Sequence, residues 1–442
     1  MWRAGRLDPM PIRTLPEAPP SVHLLGPTVF LVALGVGMGE SYMWPRLVLV
    51  FGPEIRWLFL IGVTLQAVVM LEMARYAMAT GESIFTGAAR IPWVVTACVA
   101  LVLVGVLFSL ARVIYNLLEN VLALLIGLLV VGTAVIASLV GSWGDLATTI
   151  TGMFNFGYFP SGAMNAEWFP IVVGAIAFAG PSGMQQMWYT LHLRDSGAGM
   201  GSHIPKLRGL RHAGEEEEMP NRGFMFDTSN PDEMRKWKGW RRWVTFDALL
   251  LFWGVTMLVT VSFTVLAQSA ARANPDVKTL IEGGDRSAAL SAMSDAFASA
   301  GGSVLGTAFF GFIALIGLNA TLGLFDSFSR GQADMTYFFV KGAKRFKMSH
   351  LYAFFLWGVI IFGILILNFG PADGPEAVLD ILAFLSTFAM GAYCVVLLLV
   401  NNKMLPKPIR PKWYQNGIIG FGAVFYLGML FYSLIAFGVV VD

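Results

Sequence analysis

Charge is what this sequence has least of. Only 13% of its 442 residues are Asp, Glu, Lys or Arg, where a soluble chain carries about a quarter. Together with 56% hydrophobic residues, that scarcity excludes folding in water alone and points to a lipid bilayer as the solvent. The net charge of +2 offers no basic excess for a nucleic acid or another polyanion. Cysteine is nearly absent: Cys98 and Cys394 both sit in apolar runs, so free buried thiols are expected rather than a disulfide. No cluster of His, Cys and carboxylates suggests catalysis, and nothing suits a hydrolase or phosphoryl-transfer site, so neither an enzyme nor a bound cofactor is expected. The first 23 residues carry Arg3, Arg6 and Arg13 but no apolar core followed by a cleavage site. A signal peptide is therefore not expected, and the first span serves as its own insertion signal.

What the chain does have is long apolar runs. A membrane helix needs about 20 such residues, and the runs that qualify are 24–50, 55–79, 92–110, 113–140, 168–191, 244–268, 303–328, 350–369, 377–400 and 414–440. The stretch 286–299 is polar on one face and too weak to span, so it reads as a surface helix. Lys and Arg set the orientation. They crowd 194–243, 341–347 and 403–412 and are absent from 142–166 and 370–376. The N-terminal tail is thus expected on the cytoplasmic side. Alternation fails once, because an odd number of spans must separate 80–91 from 142–166 while the apolar material between them reads as two helices. Either one run does not cross, or a helix is missing.

Two spans carry interruptions. In the first, LVALGVGMGESYMWP places Gly35, Gly37 and Gly39 just before Glu40 and Ser41, with Pro45 beyond. Glycine is poor in helix interiors, so local unwinding is expected there. Backbone unwound at bilayer depth must line a cavity or be buried in protein, and a carboxylate at that depth is costly and usually functional. The alternative is that the glycines only permit close packing and that Glu40 pairs with an arginine. In the second, Gly180, Pro181, Ser182 and Gly183 interrupt 168–192, followed at once by Met184, Gln185 and Gln186. Freed carbonyls, a thioether and two amides are a plausible coordination shell, although a lone methionine is more often packing. A pair of interrupted helices in corresponding positions is the sequence mark of a secondary-transporter site.

Other polar residues rank lower. Glu72 and Arg75, three apart, are expected to pair. Glu119 is either a proton-relay group or a partner of Arg112. Asp326, Arg330 and Asp334 read as a solvated or paired cluster before a gating one, Asp247 and Asp380 as interfacial, and Asn319 as an interhelical hydrogen-bonding group. GAGMG within 194–243 follows no strand, which rules out a nucleotide loop. The acidic run Glu215 to Glu218 reads as solvated, and RKWKGWRRW as an interfacial anchor.

From Gly26 onward the chain resembles the Nramp (natural resistance-associated macrophage protein) divalent metal transporter family, in its divergent prokaryotic branch. The likeness rests on GPTVFLVALGVGMGESYMWPR, on TGESIFTGAAR, on the broken sixth-position helix followed by LRDSGAGMG, and on LGLFDSFSRGQADMTY and NNKMLPKPIRPKW. It implies an all-α integral membrane protein of the LeuT-like inverted-repeat fold, with about ten or eleven transmembrane helices, the first and sixth-position ones broken. The boundaries expected are a cytoplasmic tail over 1–23, a first repeat over 24–141 that is one helix short, and an extracytoplasmic loop over 142–167. A second repeat covers 168–400 and includes the cytoplasmic loop 194–243, and 401–442 forms a linker and last helix. The family's Asp-Pro-Gly-Asn motif falls on Gly37, Met38, Gly39 and Glu40, so the metal-binding aspartate is absent and a glutamate replaces the asparagine. The family's Met-Pro-His falls on Met184, Gln185 and Gln186 when the following tyrosine is aligned with Tyr189, so the histidine linked to proton coupling becomes Gln186.

The resulting expectation is a secondary transporter in a prokaryotic inner membrane, moving a divalent cation of the Mg or Mn class through an altered binding site, with no expectation that the family's proton coupling is kept. Its substrate or ion site draws on Gly37, Gly39, Glu40, Ser41, Gly180, Ser182, Met184 and Gln186, with Glu40, Met184 and Gln186 as metal ligands and Glu119 as the possible relay. Two alternatives remain open: a transporter of a small organic solute, and a non-transporting relative.

Overall fold

Residues 10–19, 27–37, 39–88, 115–207, 219–285, 287–340, 342–369 and 374–437 are described by the computed structural model, and they are almost wholly helical. Five helices are each long and apolar enough to cross a membrane: Pro53–Thr80, Pro231–Ala273, Ser303–Phe339, Leu379–Met404 and Trp413–Ala436. A sixth candidate is a pair, α5 (Tyr115–Val140) and α6 (Trp143–Gly152), bent by 119°. The bend has a local cause. Ser142 and Asp145 form a capping box, each side chain bonding the other's backbone N–H, at 3.1 and 2.8 Å, which starts a new helix instead of extending the old one. This is a multi-pass membrane protein. The run 92–110, and with it the helix in doubt, falls outside the described residues.

Both expected interruptions are present. The first span divides into α1 (Thr28–Gly35), a π-helical turn at Gly39–Met43 and α2 (Trp44–Phe51). The second divides into α7 (Trp168–Ala177) and α8 (Gln185–Ser196), with the chain unwound between them. Each half is too short to span, so neither is among the five helices of full length. Packed against α7 and α8 is α3 (Trp57–Thr80), which meets α2 through the edge-to-face pair of Trp44 and Phe59; its most apolar stretch is 72% buried inside the protein, whereas that of α13 (Ser303–Phe339) is only 22% buried. The first is a central helix; the second is open along its apolar stretch but buried from Asp326 to Met335. The helix α3 stops at Gly81, which takes a left-handed φ of 67° and returns its N–H to Ala77 at 2.8 Å, a C-cap that a residue with a Cβ adopts only under strain.

The stretch 286–299 does form a helix, α12 (Ala288–Gly301). The basic, tryptophan-rich stretch differs from expectation. It lies in helix α9 (Pro231–Asp247), with Trp237, Trp240 and Trp243 buried in protein rather than lying in a lipid interface. The reason is the N-terminal segment, which fills the same face: Pro16 accepts a bond from the Trp240 indole at 3.0 Å, Leu15 donates to Glu233 at 2.5 Å, and Arg13 donates to Met225 at 2.9 Å. The run Glu215 to Glu218 lies outside the described residues.

Candidate substrate site at two helix breaks

The two interruptions touch. A Cβ built on Gly35 would lie 2.4 Å from the Pro181 ring, and one on Gly39 would lie 2.2 Å from the Phe178 carbonyl oxygen. Neither glycine has a positive φ, whereas Gly180 and Gly183 do, at 113° and 53°. The glycines of the first break are therefore required by close approach, and those of the second by backbone conformation. Gly37 is looser, its Cβ meeting only Ala320 of α13 at 3.4 Å.

Glu40 lies in the π-helical turn and is fully buried. Its Oε2 accepts from the Gly37 N–H at 3.1 Å, which caps the turn that the break leaves open. The Gly180 N–H also faces the carboxylate, so the second break contributes to the same point. Oε1 has no hydrogen-bond partner, and no arginine or lysine pairs with Glu40 among the described residues. The pairing alternative is therefore not what the structure shows. Ser41 serves the backbone: its hydroxyl donates to the Gly37 carbonyl at 2.7 Å.

On the second break, Ser182 is buried and its N–H donates to the Gln185 side chain at 3.1 Å, while Met184 is half-buried at the start of α8. Gln186 is engaged at both ends. It donates to Gln66 of α3 at 2.9 Å and accepts from Tyr393 of α15 (Gly374–Met404) at 3.1 Å. Gln66 in turn donates to the freed Ala177 carbonyl at 3.0 Å. This amide relay ties the broken span to α3 and α15. Sequence reasoning missed Gln66, although a single glutamine in the run LFLIGVTLQAVVM was a visible signal.

Asn319 of α13 is buried and both atoms of its amide lack a partner. It neighbours Ala320, which packs against Gly37. Glu119 lies in α5, but its side chain is outside the described residues. Among the described residues, no three His, Cys, Asp or Glu side chains gather where a metal ion could be held. The arrangement offers one carboxylate oxygen, a buried amide and backbone groups: a hard, oxygen-dominated set with a single formal charge.

Asp247 was expected at an interface. It is buried instead, with its carboxylate on Thr28, the first residue of α1. Asp380 forms an ion pair with Arg46 at 3.0 Å. Glu72 and Arg75 form the expected pair, with two hydrogen bonds of 2.7 and 2.8 Å.

No protein-family model matches the chain, and no curated protein matches it. Solved structures do. The crystal structure of the Eremococcus coleocola manganese transporter, in complex with an aromatic bis-isothiourea substituted compound, aligns over 98% of this chain and 90% of that one, with a TM-score of 0.53 and 12% identity. At that identity the likeness is one of fold, and the two are distant structural relatives.

Proposed function

We propose that the chain is a secondary transporter that carries a divalent cation of the Mg or Mn class through the point where the two helix breaks meet. The observation that carries this reading is the buried Glu40 carboxylate, which faces amides of both breaks and keeps Oε1 free of any protein partner. A carboxylate held at bilayer depth without a counter-charge is costly unless a cation or proton joins it. Oxygen ligands with retained waters suit a hard divalent ion, and the half-buried Met184 is a soft donor on the second break. That the structural relative is a manganese transporter supports the cargo class. We read 24–141 and 168–400 as the two inverted repeats, the basic segments as cytoplasmic, and the membrane as a prokaryotic inner membrane.

The test is flux. Protein reconstituted in liposomes should admit Mn2+ or Mg2+ saturably, and Glu40→Gln should reduce that entry by about tenfold or more, since it removes the one formal charge of the site among the described residues. Unchanged flux in Glu40→Gln would remove Glu40 from the site. Thermal stabilisation by an organic solute and by no divalent ion would replace the cargo class.

A further inference from the structure

We propose that Asp247 is a proton-operated latch: ionised, it holds the amino end of α1, and protonated, it lets that half-helix go. The inference rests on the transporter reading above, because releasing a half-helix beside the cargo point has meaning only where there is cargo.

The geometry begins with α1, an eight-residue half-helix whose own N-cap position is Pro27, with no side-chain cap bond. A proline offers no side-chain acceptor for the open N–H groups of the first turn. Asp247, at the end of α9, supplies that acceptor from another element. Its Oδ2 accepts from the Thr28 hydroxyl, and the Thr28 backbone N–H also faces the carboxylate. An anion at a helix amino end is favoured by the exposed N–H groups and the helix dipole, and a neutral acid there loses most of that attraction.

The same carboxylate is otherwise uncompensated. Asp247 is 2% exposed, its Oδ1 has no partner, and it forms no ion pair among the described residues. The charged and titratable groups on the elements packed around it are engaged elsewhere. Helix α1 carries none. On α3, Glu72 holds Arg75 and also Arg241 of α9. On α8, Tyr189 shares a 3.2 Å bond with the Thr28 hydroxyl, His192 meets Ser327, and Arg194 and Asp195 pair with Asp334 and Arg330. Among the described residues, Oδ1 is therefore the open position on this carboxylate for a proton.

The location suits a latch. The residue after Asp247 begins a π-helical segment, Ala248–Gly254, and such bulges frequently mark functional sites. Its buried Phe252 packs on the second break, 2.9 Å from a Cβ built on Gly180. Asp247 thus connects α1, whose far end is the first break, to a segment that touches the second.

Two readouts on the intact protein test this. The first is hydrogen exchange of the α1 amides, corrected for intrinsic rates. In the wild type their protection should fall on acidification by about two- to fivefold, the typical range of a charge at a helix terminus. Asp247→Asn should show the acid value at every pH. Thr28→Val, which keeps the carboxylate and removes one donor, should weaken protection while keeping the pH response. That variant carries the test if Asp247→Asn does not fold. Protection in the wild type that ignores pH, or a pH response that survives in Asp247→Asn, overturns the latch. The second readout is the pH dependence of Mn2+ entry into liposomes, which Asp247→Asn should flatten; a pH dependence that is unchanged in Asp247→Asn overturns the assignment. Exchange reports on Asp247 without flux, whereas Glu40→Gln reports on the cargo site, so failure of one is distinguishable from failure of the other.

Discussion

Asp195, Asp326 and Asp334 lie buried between two arginines, whereas Glu40 and Asp247, equally buried, pair with none among the described residues. In the first region the charges alternate. Arg330 bonds Asp326 at 2.7 Å and Asp195 at 2.6 Å, and Arg194 bonds Asp195 at 3.0 Å and reaches on to Asp334. The remaining oxygens are filled by hydroxyls: Tyr352 donates to Asp326 at 2.8 Å and Ser83 to Asp334 at 2.6 Å. The ladder joins α8, α13, α14 (Met348–Phe369) and the turn after α3. In the second region each carboxylate holds a helix end with one oxygen and leaves the other free. The difference teaches what each region is for. A satisfied network fixes neighbouring helices in one arrangement. A carboxylate with an open oxygen is ready for a ligand that comes and goes.

The largest expected effect separates the two. Arg330→Met leaves Asp326 and Asp195 buried without their shared cation, and breaking such a pair costs about 3–5 kcal/mol. Thermal or chemical unfolding in detergent should show that loss. Glu40→Gln removes a charge that has no partner to strand, and it should cost less than about 1 kcal/mol or stabilise. If both variants lost stability equally, the two regions would be of one kind and the contrast would fall.

A smaller effect probes the contact between the breaks. Gly39→Ala places a Cβ 2.2 Å from the Phe178 carbonyl, and backbone cannot yield as a flexible side chain does. Overpacking of this kind costs about 1–3 kcal/mol and should also reduce transport. Gly37→Ala, whose Cβ meets Ala320 at 3.4 Å, should be nearly silent. Equal effects at the two positions would mean that the breaks do not touch as described.

Much of this was legible in the sequence, and the remainder was not for definite reasons. Apolar runs and glycine clusters are local signals, so both interruptions could be placed to within a few residues. What the glycines do was not local: only the partner across the contact shows that Gly35 and Gly39 are needed for close approach, while Gly180 and Gly183 are needed for their φ. Asp247 follows RKWKGWRRW, and its neighbours in sequence suggest an interface. Its burial depends on α1, more than two hundred residues away. The tryptophans misled for the same reason, because the N-terminal segment that covers them is remote in the chain. Asp326, Arg330 and Asp334 were visible as a cluster, but Arg194 and Asp195, which complete the ladder, come from a different helix.

The smallest effect concerns the amide relay, where the two kinds of region meet. Gln186 occupies a position expected to contact cargo, yet both ends of its amide are bound to Gln66 and Tyr393. If it is structural, its loss should appear in stability and follow the rule for buried polar pairs. Removing one partner strands the other, at about 1–3 kcal/mol, whereas removing both can be nearly neutral. Gln186→Leu should therefore cost more alone than when combined with Gln66→Leu, and a double-mutant cycle in detergent should return a coupling of about 0.5–1.5 kcal/mol. Tyr393→Phe, which removes one hydroxyl, should lie at the lower end of that range. Strict additivity between Gln66 and Gln186 would mean that the relay does not form. A variant at Gln186 that kept its stability and lost flux would move this residue from the framework to the site.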